Sequence, residues 1–260
     1  MDLKLKEKVV LVTGGAKGIG SAIVRECAHE GARPVIVDKD EAAARNLQQQ
    51  LGRLNLQCEF FAADLLIPAA CMAAIDFAVG KFRRVDALVN NAGINDGVGL
   101  TAGSPEKFVN SLERNLLHVY NITHFAVPAL QQSHGSIVNI SSKTAVTGQG
   151  NTSGYVAAKA AILGLTREWA VELLPFGIRV NAVLPAEVMT PLYESWLAKF
   201  PDPQEMRTRI ESKIPLGHRM TTAEEIAATV TFLLSEKSSH TTGQHIFVDG
   251  GYVHLDRALT

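Results

Sequence analysis

Cysteine is scarce in this chain and shows no pattern. Cys27, Cys58 and Cys71 form no Cys-x-x-Cys pair and, being three, cannot all be joined. Neither a disulfide framework nor a zinc site is indicated, and reduced thiols are expected. Charge of one sign is lacking too. The 25 Lys and Arg nearly balance 26 Asp and Glu, for a formal net charge of −1, which leaves no basic footprint for nucleic acid. No apolar run approaches the ~18 residues that a membrane span needs. The opening stretch alternates charged and apolar residues and meets Gly14 before a signal-peptide core develops. A soluble cytoplasmic protein without nucleic-acid or membrane partners is therefore expected. Also missing are a Gly-x-Ser-x-Gly elbow, a His-Glu-x-x-His pair and a Gly-Lys-Ser/Thr loop ending. Their absence argues against a serine hydrolase, a zinc peptidase and a P-loop nucleotidase, and no metal is expected.

What is present is enough apolar sequence for a large core: 47% of the 260 residues are hydrophobic and only 20% charged. A charged fraction below the usual ~25% hints that part of the surface is covered by other subunits. Short β-branched runs recur at Val9–Val12, Pro34–Val37, Ala87–Val89, Ser136–Ile140, Ile178–Val183 and His245–Val248. Between them lie helical patterns such as Ser21–Glu30, Glu41–Leu51, Ala69–Lys81 and Thr152–Leu174. That alternation predicts βαβ units, hence a parallel α/β sheet with helices on both faces. No linker or repeat divides the chain, so residues 1–260 read as one doubly wound domain. The stretch from about 189 to 218 breaks the rhythm with four prolines. An insertion there, beyond a strand's carboxyl end, is where a lid over a ligand belongs.

After the first strand comes Thr13-Gly14-Gly15-Ala16-Lys17-Gly18-Ile19-Gly20. Glycines so spaced permit a tight turn and bring backbone N–H groups to a pyrophosphate at a helix N-terminus. Asp38 ends the second strand, about 20 residues on, where a carboxylate bonds ribose hydroxyls and repels a 2′-phosphate. NAD is thereby favoured. Lys17 and Lys39, either of which can pair with a phosphate, keep NADP as the alternative.

Tyr155 and Lys159 lie four apart on one helix face. A tyrosine ordinarily titrates near 10, so a base working at neutrality needs about three units of selective stabilisation, which a close ammonium can provide. Ser142 adds a hydroxyl at the carboxyl end of a core strand, where open α/β sheets place their sites.

Taken jointly, the glycine turn, Asn90-Asn91-Ala92-Gly93, Asn115, Ser142, Tyr155 and Lys159 resemble the short-chain dehydrogenase/reductase family over nearly the whole length. The resemblance implies a Rossmann-type domain with a seven-stranded parallel sheet, a nicotinamide cofactor and a homotetramer. It implies Tyr155 as acid/base, Lys159 as the residue that lowers its pKa and holds the nicotinamide ribose, and Ser142 as orienter of the reacting oxygen. Asn115 would continue a proton relay. Gly14, Lys17, Gly18, Ile19, Gly20, Asp38, Asp64, Leu65, Asn91, Gly93, Val188 and Thr190 would line the cofactor. Where the family usually has Pro-Gly before that last grip, this chain has Pro185-Ala186.

Positions expected to line the substrate pocket are polar: Asn95, Lys143, Gln149 and Glu187. Unpaired buried polar groups cost about 1–3 kcal/mol each, so a polyhydroxylated ligand fits better than an acyl chain or sterol. The segments around Asn95, Ser142–Tyr155 and Pro185–Tyr193, with the end from Val248, are similar to the aldose 1-dehydrogenase branch of the family. That likeness implies oxidation at C1 of a sugar such as L-fucose, L-galactose or D-arabinose to a lactone. Another sugar, or a small polar hydroxy or keto compound, is the alternative, and a non-catalytic nucleotide binder a further one. His254, Asp256 and Arg257 follow the last strand and are expected to reach towards a neighbouring subunit's pocket.

Overall fold

In the computed structural model of this chain, residues 2–255 are described; Asp256 and Arg257 of the expected tail contact lie outside them. Seven strands form one sheet: β1 (Val9–Thr13), β2 (Arg33–Asp38), β3 (Glu59–Ala62), β4 (Ala87–Asn90), β5 (Ser136–Ile140), β6 (Arg179–Pro185) and β7 (His245–Val248). They are ordered β3-β2-β1-β4-β5-β6-β7, and every pairing is parallel. The order reverses between β1 and β4, which opens a crevice at the strands' carboxyl ends there.

Alternation along the strands divides the core in two. Val10, Val12 and Ile36 pack on one face with α1 (Gly18–His29), α2 (Glu41–Arg53) and α10 (Ala223–Leu234). Val9, Leu11, Val35 and Val37 pack on the other with α3 (Pro68–Phe82), α5 (His118–Ser133) and α7 (Ser153–Glu172). Residues of period two feed both faces, as a sheet covered on both sides requires.

The remaining helices gather at the site end: α4 (Pro105–Leu112), the single turn α6 (Thr144–Thr147), α8 (Pro191–Leu197) and α9 (Pro203–Glu211). The expected insertion is thus two short helices after β6. Between α4 and α5 the helix widens into a π turn over Glu113–Leu117. Three strand asparagines fasten the surrounding elements to the sheet, two of them to helices and Asn181 to the loop before β7. Asn90 Nδ2 donates to Asn139 Oδ1 at 2.8 Å and Thr123 Oγ1 at 3.0 Å, Asn139 Nδ2 to Thr166 Oγ1 at 3.0 Å, and Asn181 Nδ2 to the Thr241 carbonyl at 2.9 Å. Thr166 lies on α7, so this polar ladder fixes the helix that carries Tyr155 and Lys159. Among the described residues no helix is long and apolar enough to cross a membrane.

Candidate active site

The glycine turn is shaped by close approach. Gly14 has φ +61°, and a Cβ there would come within 2.9 Å of Ala92 Cα; a Cβ on Gly20 would come within 2.1 Å of the Gly14 carbonyl oxygen. Asn91 holds the turn: its Nδ2 donates to the Thr13 carbonyl at 2.9 Å and the Gly14 carbonyl at 3.0 Å. The expected cofactor residue Asn91 is thus placed as a brace under the cradle. Opposite Gly18, a Cβ would meet Thr190 at 3.3 Å, so the loop after β6 comes close to the turn at Thr190. Val188 is buried and bridges to Thr221. Ile19 packs partly buried against the core, leaving its amide at the start of α1.

Asp38 stands at the end of β2 and accepts from the Ala16 amide at 3.0 Å and the Asp40 amide at 3.0 Å. Both carboxylate oxygens are oriented by backbone. Lys17 does not face Asp38's neighbourhood as a free cation: its Nζ lies 2.5 Å from Asp40 Oδ2. The Ala63 amide donates to the Asp38 carbonyl at 3.0 Å, which brings exposed Asp64 and buried Leu65 beside the same crevice. Gly93 completes it. A Cβ there would lie 3.1 Å from Asn115 Oδ1 and 3.3 Å from Lys159 Nζ. The cradle therefore suits a dinucleotide: glycines where backbone must be bare, a helix N-terminus behind them and carboxylates at the far end.

At the cradle's inner end stand the four residues expected to do chemistry. Buried Lys159 donates to the Ile140 carbonyl at 2.7 Å, with its Nζ 5.6 Å from the centroid of the Tyr155 ring. Ser141 Oγ donates to the Lys159 carbonyl at 2.8 Å, fastening α7 to the end of β5. Burial pushes the Lys159 amine down to about 8 and the Tyr155 phenol up to about 12. Glu187 raises the phenol further, while a hydrogen bond with Ser142 lowers it. Thr144 Oγ1 in turn donates to Ser142 Oγ at 3.0 Å, a hydroxyl relay that sequence reasoning missed. Its only signal was a second hydroxyl two residues beyond Ser142. Asn115, fully buried in the π turn, accepts from the Ile94 amide at 2.7 Å and donates to the Ser111 carbonyl at 3.0 Å. Its side chain shapes the wall facing Gly93.

The expected substrate residues divide. Lys143 Nζ pairs with Glu187 Oε1, with side-chain exposures of 8% and 16%. Asn95 is exposed and accepts from Thr152 Oγ1 at 2.5 Å, beside the start of α7. Gln149 is exposed on the loop after α6. Two residues sequence reasoning passed over lie near the ion pair. The Lys143 ammonium sits 3.8 Å from the centroid of the Tyr252 ring, and burial, then the Glu187 carboxylate, push the Tyr193 phenol well above its ordinary value. Among the described residues no group of three or more His, Cys, Asp or Glu is arranged to hold a metal.

A glycine cradle ending on a buried Lys beside a Ser–Tyr pair defines a dinucleotide-dependent oxidoreductase. The chain belongs to the short-chain dehydrogenase/reductase family, whose members use NAD or NADP; residues 14–253 match the family model described as enoyl-(acyl carrier protein) reductase. It is 37% identical over 253 residues to L-fucose dehydrogenase of Bos taurus, covering 96% of this chain and 91% of that one. Among solved structures it is similar to Cj0485 dehydrogenase, with TM-score 0.94 and 48% identity over 100% of this chain and 99% of that one. It is also similar to the Thermoplasma acidophilum aldohexose dehydrogenase AldT, with TM-score 0.88 and 30% identity over 97% and 96%.

Proposed function

We propose that this chain oxidises the anomeric carbon of an aldose, with L-fucose as first candidate and L-galactose and D-arabinose next, giving the lactone. The observation that carries this reading is the part-buried Lys143–Glu187 pair beside Tyr155. An acyl chain brought against that pair would strip water from two charges and return no hydrogen bonds. A sugar ring offers hydroxyls that both donate and accept. The names of the L-fucose and aldohexose dehydrogenases to which the chain is similar point the same way.

When bound, a nicotinamide dinucleotide supplies the hydride acceptor. Tyr155, as phenolate, takes the proton of the anomeric hydroxyl as the C1–H bond breaks and C1=O forms. Ser142, itself a hydrogen-bond acceptor from Thr144, holds the reacting oxygen. Lys159 holds the nicotinamide ribose and favours the phenolate. NAD is the preferred cofactor: Asp38 presents a fixed carboxylate, and Lys17 is already paired with Asp40. A homotetramer accords with apolar residues exposed around the start of α5 and the end of α7: Leu117 in the π turn, Tyr120 on α5, Val171 on α7 and Leu174 just beyond it. Three buried free thiols accord with a cytoplasmic setting.

The test is the rate of reduced-nicotinamide formation with purified protein, a panel of aldoses, and NAD or NADP. Turnover of L-fucose or a related aldose with NAD is expected. Silence across the aldoses, with turnover of acyl or simple ketone substrates, overturns the reading.

A further inference from the structure

We infer that Tyr252, on the turn after β7, is a positioning residue for substrate recognition: the face of its ring holds the Lys143 ammonium in place, so that Lys143 keeps an N–H to offer a substrate hydroxyl. This rests on the aldose reading above and adds the residue that fixes Lys143.

The turn that carries Tyr252 is firmly held. Asp249, buried just past β7, accepts from the Gly251 amide at 2.8 Å through Oδ1 and from the Val253 amide at 2.9 Å through Oδ2. Gly250 and Gly251 take φ of +62° and +82°, a backbone path that other residues adopt only under strain. The Leu216 amide donates to the Gly250 carbonyl at 2.9 Å, which ties the turn to the end of the lid. Phe247 and His254 meet edge-on across it, with ring centroids 4.4 Å apart. Between these fastenings Tyr252 lays its ring over the Lys143 ammonium, with Nζ 3.8 Å from the centroid. The other cation–ring approaches among the described residues are 5.6 Å or longer, so this one is a direct contact with the face. Lys143 is anchored from its own side too. It follows Ser142 directly, and its amide donates to the Pro185 carbonyl at 2.9 Å as the pairing of β5 with β6 runs on past the strand ends.

A buried ammonium needs its charge answered. Glu187 answers it through one hydrogen bond. A second carboxylate or carbonyl would occupy another of the three N–H groups. An aromatic face attracts the cation without an oxygen acceptor, and does so most strongly where water is excluded. Glu187 and Tyr252 together therefore hold the ammonium and leave it hydrogen-bonding capacity. Packing alone does not call for a cation here, since buried ion pairs are often replaceable by apolar side chains without loss of stability. A sugar hydroxyl gives the retained N–H a use, and a substrate lacking that hydroxyl leaves it unpaired.

Tyr252→Leu removes the ring face and keeps an apolar side chain. For the aldose that the wild type turns over, KM should rise about five-fold or more. The kcat should stay within about three-fold, because Lys143 meets the substrate in ground and transition states alike. Tyr252→Phe keeps the face and should recover most of the loss. In a Lys143→Met background, Tyr252→Leu should add little to KM, because its effect runs through the ammonium. The acid limb of the kcat/KM profile should stay in place in Tyr252→Leu, which removes no charge, and NADH affinity, read by fluorescence titration, should not move. An unchanged KM in Tyr252→Leu, equal impairment in the Phe and Leu variants, a full KM effect persisting in Lys143→Met, or a matching loss of NADH affinity overturns the positioning role. The wild-type rate is the separate control. If wild type turns over no aldose, the function proposed above falls; if it does and any of those four results is found, the role of Tyr252 alone falls.

Discussion

Lys159 gives a hydrogen bond to the carbonyl of Ile140 at 2.7 Å, and that contact aims its ammonium at the space between Tyr155 and Gly93. The amine is held down at about 8 and the phenol up at about 12, both by burial. Each charged form is disfavoured alone; a phenolate and an ammonium together compensate one another. Tyr155→Phe, which keeps the ring and removes the acid/base, should cut turnover by about 10²–10⁴-fold. NADH affinity should stay within about two-fold, since the ring and Lys159 remain. Steady-state rates beside fluorescence titration check both, and retained turnover removes Tyr155 from the chemistry.

Glu187 carries the second prediction, through its charge. Its carboxylate raises the Tyr155 pKa, and Lys143 offsets part of that influence. Glu187→Gln removes the negative charge and leaves the Lys143 cation unopposed, so both effects lower the phenol pKa. The acid limb of the kcat/KM profile should therefore move to lower pH by about half a unit or more. Lys143→Met acts oppositely: the carboxylate is unopposed and the limb moves to higher pH. A limb that stays in place in both variants, read from initial rates across pH, separates Glu187 from the titration of Tyr155.

Asp38 supports a prediction about the cofactor. Its oxygens are held by the Ala16 and Asp40 amides, so the carboxylate cannot swing aside for a 2′-phosphate. The ratio of kcat/KM for NAD to that for NADP should exceed one in the wild type. It should fall about ten-fold or more in Asp38→Asn, which removes the charge but keeps an acceptor for a backbone amide. If the wild type already prefers NADP, the Asp38 argument fails.

How much of this was legible in the sequence follows from the physics of each residue. Six strands announce themselves as β-branched runs because strands buried on both faces must be apolar throughout. The seventh, β3, reads Glu-Phe-Phe-Ala; it lies at the sheet edge, only partly buried, and carries no β-branched residue. Helix α10 packs on α1, yet it is not among the helical patterns picked out in the sequence. Tyr155, Lys159, Ser142 and the glycine turn were visible because their spacing is local. The ion pair was half visible. Lys143 and Glu187 stood out as charges near strand ends, but Tyr252 meets Lys143 only once the turn after β7 is folded over the site. Nor does sequence show that Lys17 is engaged by Asp40, or that Asn91 braces the turn from below.

His118 yields a prediction about stability. It is buried in the wall beside Lys159, and its Nε2 bonds the Arg114 carbonyl at 2.9 Å, so that nitrogen bears the proton. Its Nδ1 is buried with no hydrogen-bond partner among the described residues. Protonating it would place a second cation in a dry site near Lys159, and burial, then that charge, hold the imidazole down at about 4 against an ordinary 6.5. Between those values the unfolded chain binds the proton and the folded chain does not. Stability therefore rises with pH across this window and is lost as pH falls from 6.5 towards 4. At pH 4.5 the loss from this one group is about 2–3 kcal/mol. His118→Gln keeps a donor for the Arg114 carbonyl and cannot titrate. Urea unfolding at pH 7 and at pH 4.5 should show the wild type losing about 2–3 kcal/mol more than the variant between the two. Equal losses in both proteins would mean that His118 accepts its proton in the folded state, with Nδ1 finding a partner when charged.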